Sequence, residues 1–172
     1  VGILLSILAL PAFVFLFLKG FGQNEFVVQI FNPFTAECDN RSPKDSVHRI
    51  PDFEFTSEQG KTLRRADFAG KIYVADFFFS TCPDICKSMA NQLVRVQEAY
   101  GENPDIRILS HTAAPAYDTP EILKEYAERY DAKSPFWSFA TGEKSEILRM
   151  AQCGYFIPVV ENEDPEKAII HS

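Results

Sequence analysis

The sequence predicts an α/β domain, with a parallel sheet covered by helices and a membrane-spanning helix before it. Strand-like apolar runs alternate with amphipathic helical segments from residue 50 onward, an order typical of parallel sheets wrapped by helices. The first 18 residues carry no charged side chain, as expected of a membrane helix. The length of 172 residues, with 46% hydrophobic and 24% charged residues, suits one globular domain and argues against disorder.

The N-terminal segment, residues 1–20, is predicted to be a transmembrane anchor. A helix of 18 residues is roughly 27 Å long, close to the hydrocarbon thickness of a bilayer. A cleaved signal peptide has a shorter apolar core and a small-residue cleavage site, which the following FLKGFGQNEF does not offer. We therefore expect a retained anchor, and we expect further residues before Val1 because the sequence lacks an initiator Met.

The charge balance limits the possible partners. The chain has a net charge of −7 at pH 7, and its Lys and Arg residues form no cluster. Nucleic acids and anionic lipid surfaces require concentrated positive charge. The sequence therefore excludes both as partners of the folded domain.

The elements before the cysteines follow from composition and periodicity. Residues 21–49 are predicted to form a linker rich in Pro, Asn, Asp and Ser, with one short strand at residues 26–30, and the folded domain, residues 50–172, begins after it. FEFTS and TLRR predict two short strands around a turn that contains Gly60. KIYVADFFF (residues 71–79) is apolar without alternation, which predicts a strand covered on both faces.

Helices and strands alternate after residue 79. Apolar residues recur every three or four positions between Asp84 and Tyr100, which predicts a helix with a buried stripe formed by Ile85, Met89, Leu93, Val96 and Tyr100. TPEILKEYAERY predicts a second helix, with a Thr cap and Pro in its first position. The remaining predicted elements are a buried strand at residues 105–111, a third at 136–140 and a last helix that ends near Gly154.

Cys82 and Cys86 follow the first buried strand, at the sheet edge where ligands of open α/β sheets gather. If the helix begins at Asp84, Cys86 lies in its first turn and Cys82 just before it. The backbone N–H groups and the helix dipole there stabilise a thiolate and lower its pKa. We therefore expect the site to favour ionised sulfur, with Pro83 stiffening the loop.

Three uses of such a thiol pair remain open from the residues alone. A redox dithiol usually has two intervening residues, so the three found here make a strain-free disulfide less certain without forbidding it. Structural zinc would need four ligands, and no second pair of cysteines or histidines at the usual spacing completes them. A soft monovalent copper ion is satisfied by two thiolates and one imidazole.

Three histidines could supply the imidazole. His48 lies in the linker, where we expect a solvated side chain. His111 ends the second buried strand, on the same sheet edge as the cysteines, and a buried, hydrogen-bonded imidazole is its expected role. His171 follows the acidic stretch VVENEDPEKA. Spacing alone does not choose among them.

The combined motifs resemble one family. IPDFEFTSEQGKTL, GKIYVADFFFSTCPDICKSM, ILSHTAAPAYDTPEILKEYAERY, WSFATG and the final IHS resemble the Sco/SenC proteins, which are membrane-anchored, thioredoxin-like copper proteins that assist cytochrome c oxidase assembly. The resemblance runs from Ile50 to Ser172. It implies a thioredoxin-like fold and copper ligands at Cys82, Cys86 and His171.

The resemblance also implies a function and a location. The expected function is a metal carrier rather than an enzyme, which delivers copper to the dinuclear copper site of a terminal oxidase subunit. The alternative is a thiol-disulfide oxidoreductase that reduces the cysteines of that site through Cys82 and Cys86, and a membrane-tethered redox or copper sensor is a weaker third reading. Other copper chaperones or thiol reductants are further possible partners. The domain is expected on the periplasmic side of a bacterial inner membrane, in preference to the mitochondrial one.

The chain departs from the family pattern at several points. Lys87 stands where relatives commonly have proline, and TAAPAYDTP lacks the acidic residues usual in that loop. The family pattern continues with a strand hairpin and a helix after the histidine, so we expect residues beyond Ser172.

The other side chains of interest are expected to be structural. We expect an exposed Cys38 and a free, buried Cys153 in preference to a disulfide between them. Core packing accounts better than copper binding for the sulfur and ring side chains near the site, namely Phe77, Phe78, Phe79 and Met89.

Overall fold

The structure is a computed structural model that describes residues 9–17, Cys38 and residues 48–157. The chain divides into two compact units, Val1–Phe31 and Asn32–Ser172. In the first unit, residues 9–17 are helical (α1). Most of the expected anchor and the strand expected at residues 26–30 lie outside the described residues. Within the described ranges, no helix is long and apolar enough to cross a membrane.

The second unit contains a five-stranded sheet in the order β2-β1-β5-β4-β3. Its strands are β1 (Glu54–Ser57), β2 (Thr62–Arg64), β3 (Ile72–Phe78), β4 (Ile106–Thr112) and β5 (Trp137–Thr141). All five match segments that the sequence predicts as strands. The strands β3, β4 and β5 run parallel, as expected from the helices that connect them.

The sheet is mixed, because β1 and β2, the two short strands predicted around a turn, do not share the parallel arrangement of β3, β4 and β5. These strands form a hairpin in which Glu54 faces Arg64, and β1 also runs antiparallel to β5. The turn that joins β1 to β2 is too short for the crossover connection that parallel strands need. Gly60 takes a positive φ of 72° in the turn, a conformation that favours glycine.

The described residues of this unit form three α-helices: α2 (Ile85–Tyr100), α3 (Pro120–Arg129) and α4 (Lys144–Arg149). Thr119 caps α3 by accepting a hydrogen bond from the N–H of Ile122 at 3.5 Å, as the sequence predicts. The helix α4 continues into one π-helical turn, Met150–Gly154. This turn ends the last helix at the predicted Gly154.

The side chains of the sheet alternate between two hydrophobic clusters. We call the first the cysteine cluster, because Phe78, Ile108 and Phe139 pack there with Cys82 and Cys86. The second, which we call the phenylalanine cluster, is formed by Phe53, Phe55, Phe68, Phe77, Leu109, Ala113, Ala140, Ile147, Met150 and Ala151. Ile108 and Leu109 are adjacent in β4 and both fully buried, so this interior strand contributes to both clusters.

Strand β3 is less buried than its apolar sequence predicts. Ile72 is 73% exposed and Val74 is 39% exposed, whereas Phe77 and Phe78 are buried. The strand lies at the edge of the described sheet and pairs with β4 alone. Full cover on both faces is therefore limited to the end of β3 that leads to the cysteines.

The buried stripe of α2 is rotated by about one residue from the predicted one. Cys86, Ala90, Leu93 and Gln97 are buried, whereas the predicted Ile85 is 73% exposed. Gln97 accounts for part of the rotation, because its amide donates to the carbonyl of Asp131 at 2.8 Å and accepts from the N–H of Lys133 at 2.7 Å. These bonds attach α2 to the segment after α3, and they require the polar Gln97 to face inward.

Cys38 and Cys153 form a disulfide, so the expectation of two separate cysteines is wrong. Their Cα atoms are 5.4 Å apart, within the usual range for a disulfide. The bond attaches the predicted linker to the π-helical turn after α4. Burial of Cys153 in that turn is confirmed, but as a bonded residue.

Removing this disulfide should destabilise the domain strongly. The bond joins positions 115 residues apart, and loss of so long a cross-link costs about 2–5 kcal/mol. We expect the Cys38→Ser, Cys153→Ala double variant to lose stability in this range in urea unfolding. Cys82→Ser, Cys86→Ser is the matched control, because it removes two thiols and leaves the disulfide. Equal stability of the two double variants would contradict this prediction.

Candidate metal centre

The two cysteines lie where β3 passes into α2. The N–H of Cys82 donates to the carbonyl of Phe79 at 3.0 Å, which closes a tight turn after the strand. Asp84 is the N-cap residue of α2, so Cys86 lies in the first helical turn, as predicted. Both cysteines are free thiols and only 5% exposed.

The sulfur of Cys82 takes the place of a capping side chain. The N–H of Cys86 donates to the Cys82 Sγ at 3.4 Å, whereas the side chain of Asp84 makes no capping hydrogen bond. The first N–H groups of a helix have no partner inside the helix. The Cys82 sulfur therefore meets a backbone requirement and is held against the positive end of α2.

The two thiols differ in acidity. Burial opposes ionisation of Cys82, but hydrogen bonds from the Cys86 thiol and from the N–H groups of Cys86 and Asp84 outweigh it and lower the pKa of Cys82. Burial, followed by donation of its S–H to Cys82, raises the pKa of Cys86 to about 11. The expected tendency toward ionised sulfur is therefore seen at Cys82, whose pKa is lowered, and is wrong for Cys86, whose pKa is raised by burial.

The aromatic and thioether side chains nearby are core residues, as expected. Phe78 belongs to the cysteine cluster, and Phe79 and Met89 pack against it. Phe77 points the other way, into the phenylalanine cluster. The hydrophobic surroundings limit water access to the sulfurs.

His111 lies on the opposite face of the sheet from the cysteines. It pairs with Phe77 across β3 and β4, and its ring stacks on that of Phe77 with centroids 5.0 Å apart. Its Nε2 lies 3.3 Å from the hydroxyl of Tyr155, and complete burial lowers the pKa of the imidazole to about 3. The predicted role of a buried, hydrogen-bonded histidine is confirmed.

His48 is not the solvated side chain that its place in the linker predicts. It is half-buried, with Nε2 2.8 Å from the carbonyl oxygen of Gly154 and its ring 4.1 Å from that of Phe156. His171 lies outside the described residues, so its predicted role stays a prediction. Over the described part of the chain, no group of three or more His, Cys, Asp or Glu residues is placed to hold a metal ion.

Residues 41–172 match the family model of SCO1/SenC. The chain belongs to the SCO1/SenC family. The SCO1 protein homolog of Bacillus subtilis is 29% identical over 140 residues, which cover 80% of this chain and 72% of that protein. Several SCO2-like proteins of Rickettsia species match over only 40–45% of their own length.

Solved structures of Sco proteins share the fold. BsSco, described as a member of the Sco family of cytochrome c oxidase assembly proteins with a disulfide switch, is 31% identical with a TM-score of 0.60, over 72% of this chain and 73% of that chain. ScoI of Arabidopsis thaliana, solved with copper bound, is 26% identical with a TM-score of 0.58, over 72% of this chain and 78% of that chain. These similarities confirm the predicted thioredoxin-like α/β fold.

The structure adds two carboxylates to this Sco site that the sequence analysis did not identify. Asp76 lies in β3 and accepts a hydrogen bond from the Ser110 hydroxyl at 2.5 Å, and burial, partly offset by this bond, raises its pKa to about 7. Asp118 is fully buried and accepts hydrogen bonds from Ser80 and Thr112. A single acidic residue inside the apolar run KIYVADFFF was a signal for Asp76. Asp118 gave no such signal, because DTP also begins an ordinary helix.

Alkylation should distinguish the two thiols. Both are equally exposed, so the lower pKa of Cys82 decides the rate, since the thiolate is the nucleophile. In the metal-free protein at pH 7.5, with Cys82 and Cys86 as free thiols and the Cys38–Cys153 disulfide intact, we expect iodoacetamide to modify Cys82 before Cys86 in peptide mapping by mass spectrometry. Cys38 and Cys153 serve as internal controls, because their disulfide protects them. Faster modification of Cys86 would contradict the assignment.

Replacing Asp76 by Asn should stabilise the protein at neutral and alkaline pH. The folded state holds the Asp76 proton more tightly than the unfolded state, so ionisation destabilises the fold as pH rises from about 4 through about 7. We expect no gain for Asp76→Asn near pH 3.5 and a gain of roughly 2 kcal/mol above pH 7.5, because solvent screens part of the effect at this half-buried carboxyl.

Urea unfolding at several pH values measures this difference directly. Asp131→Asn is the control, because it removes an exposed carboxylate, and we expect it to change stability by less than about 0.5 kcal/mol. A gain for Asp76→Asn that is as large at pH 3.5 as at pH 8 would show that ionisation of Asp76 is not its cause.

Proposed function

We propose that this protein is a membrane-anchored copper carrier that delivers copper to the dinuclear copper site of a terminal oxidase subunit. Copper is its cargo, held by Cys82, Cys86 and His171. The observation that carries the proposal is the pair of buried, reduced cysteines at the start of α2, with the Cys82 sulfur 3.4 Å from the N–H of Cys86.

The chemistry of the two sulfurs suits a soft ion. Thiolates select monovalent copper over hard cations such as magnesium or calcium. The hydrogen bonds to its sulfur favour ionisation of Cys82, whereas burial disfavours ionisation of Cys86, which has to give up its proton before both sulfurs can bind. A neutral imidazole from His171 would complete a three-ligand set without adding negative charge. The copper-bound ScoI of Arabidopsis supports copper as the ion.

The proposed recipient follows from the family. BsSco belongs to the Sco family of cytochrome c oxidase assembly proteins, which supports an oxidase subunit as the partner. Transfer between similar sets of thiolate and imidazole ligands would let the ion pass without being released into water. A tether in the same membrane as the recipient, here residues 1–20, would raise the effective concentration of the two sites. We place the domain on the periplasmic side of a bacterial inner membrane.

A second candidate function is thiol-disulfide exchange, which the unequal acidity of the two thiols favours. The Cys82 thiolate would attack a disulfide of the recipient and form a mixed disulfide, releasing one recipient thiolate. Cys86, after losing its proton, would attack the Cys82 sulfur, which forms the Cys82–Cys86 disulfide and releases the second recipient thiolate. Two electrons pass from this protein to the recipient. The disulfide switch described for BsSco supports this candidate.

Replacing His171 separates the two functions. Copper binding needs the imidazole, whereas dithiol exchange does not. We therefore expect His171→Ala to weaken Cu(I) binding by more than about 100-fold. This loss is larger than the usual effect of removing a residue that only hydrogen-bonds to a metal ligand. Reduction of a model disulfide by the same variant should remain within about twofold of wild type.

The measurement is a competition titration with a Cu(I) chelator on the full-length protein. His48→Ala is the matched control, because it removes another partly buried imidazole, bonded to Gly154 on the backbone of the π-helical turn. Unchanged copper affinity and stoichiometry in His171→Ala would refute the three-ligand site. If wild-type protein bound no copper but reduced the model disulfide, the second function would replace the first.

A further inference from the structure

A buried carboxylate connects the cysteine turn to the rest of the sheet. Asp118 precedes α3 and has no exposed surface. Its Oδ2 accepts from the N–H of Ser80 at 3.1 Å and from the hydroxyl of Thr112, and its Oδ1 accepts from the hydroxyl of Ser80. The three donors come from the turn before Cys82 and from the end of β4.

We propose that Asp118 is the positioning residue that holds the Cys82 turn in place, so that the two cysteine sulfurs stay together. The proposal deepens the proposed function and rests on Cys82 and Cys86 acting as a pair. Asp118 itself does not touch either sulfur in this assignment. It acts through Ser80, two residues before Cys82.

The hydrogen bonds of the turn support this role. The segment 79–84 is closed locally by the bond from the Cys82 N–H to Phe79, and it meets α2 through the Cys82 sulfur. Among the hydrogen bonds that the structure shows for residues 79–84, those to Asp118 alone reach beyond the turn and α2. Without them, no hydrogen bond shown for the turn would tie it to β4, and apart from its two ends only the packing of Phe79 and Cys82 in the cysteine cluster would hold it to the sheet.

On the β4 side, neighbouring hydrogen bonds hold the donor to Asp118 in place. Thr112 ends β4, and its hydroxyl oxygen accepts from the N–H of Ala114 at 3.0 Å, so its proton is directed at Asp118. The neighbouring Ala113 N–H donates to the carbonyl of Phe78 at 2.6 Å. The carboxylate thus joins the end of β3 to the end of β4 at the point where the cysteines begin.

A carboxylate suits this position better than an amide. All three groups that face it act as donors, and a carboxylate is an acceptor on both oxygens. An amide would place an NH₂ group against one of these donors. Hydrogen bonds to an ionised acceptor are also stronger than those to a neutral one.

The test is the redox equilibrium of Cys82 and Cys86 in the copper-free protein. A loosened turn lowers the effective concentration of one thiol at the other, so the disulfide becomes less favourable. We expect Asp118→Asn to lower the equilibrium constant for forming the Cys82–Cys86 disulfide about tenfold, which raises the reduction potential by about 30 mV. Equilibration with glutathione, read by thiol trapping and mass spectrometry, measures it.

Glu58→Gln is the matched control. Glu58 is also a buried acidic residue that accepts a backbone hydrogen bond, from the N–H of Phe139 at 3.0 Å, but its partner lies in β5. We expect this variant to leave the disulfide equilibrium within twofold of wild type, whatever its effect on thermal stability. An unchanged equilibrium in Asp118→Asn, or an equal shift in both variants, would overturn the proposal.

Two further variants decide the matter if the Asp118 variant does not fold. Ser80→Ala removes one bond on the turn side, and Thr112→Val removes the bond that anchors the carboxylate to β4. Each should shift the equilibrium in the same direction, and no shift in either would refute the positioning role. Because copper is absent from this measurement, a wild-type protein that failed to bind copper would refute the proposed carrier function and leave this result intact.

Discussion

At the start of α2 the N–H of Cys86 donates to the sulfur of Cys82 over 3.4 Å. This contact satisfies a helix terminus that Asp84 leaves without a side-chain cap, and it brings the two thiols together in the same step. Helix formation and assembly of the site are therefore coupled. The contact also contributes to the unequal acidity, because it is one of the hydrogen bonds that lower the pKa of Cys82, whereas burial raises the pKa of Cys86.

The position of the pair within the fold determines how much water reaches it. Phe78 and Ile108 bring the sheet side of the cysteine cluster against α2, and Leu123 of α3 lies fully buried in the same cluster. Burial in this apolar setting raises the cost of a second negative charge, so two free thiolates are not stable there together. A monovalent cation or a disulfide bond removes that cost. The apolar packing of the core therefore disfavours a pair of free thiolates relative to those two states.

Sequence reasoning succeeded where local pattern decides the structure. The apolar runs of β4 and β5, the capped start of α3 at Thr119 and the place of Cys86 in the first turn of α2 were all predictable from the sequence. It failed where a contact between residues far apart in the sequence decides the structure. Gln97 faces inward because it binds the segment after α3, and Cys38 pairs with Cys153 across 115 positions. Asp118 belongs to the second kind, because its importance lies in partners on two other segments.

The disulfide and the free pair together constrain the chemistry of this Sco protein. Cys38 and Cys153 are bonded, whereas Cys82 and Cys86 are reduced. A compartment that oxidises the first pair also supplies oxidant to the second, since both draw on the same thiol-disulfide exchange. For Cys82 and Cys86 to remain free thiols in such a compartment, a metal would have to occupy their sulfurs or a reductant would have to restore them. Under the two proposed functions, copper binding and disulfide exchange would compete for the same two sulfurs, and occupation by the metal would itself protect the pair from oxidation.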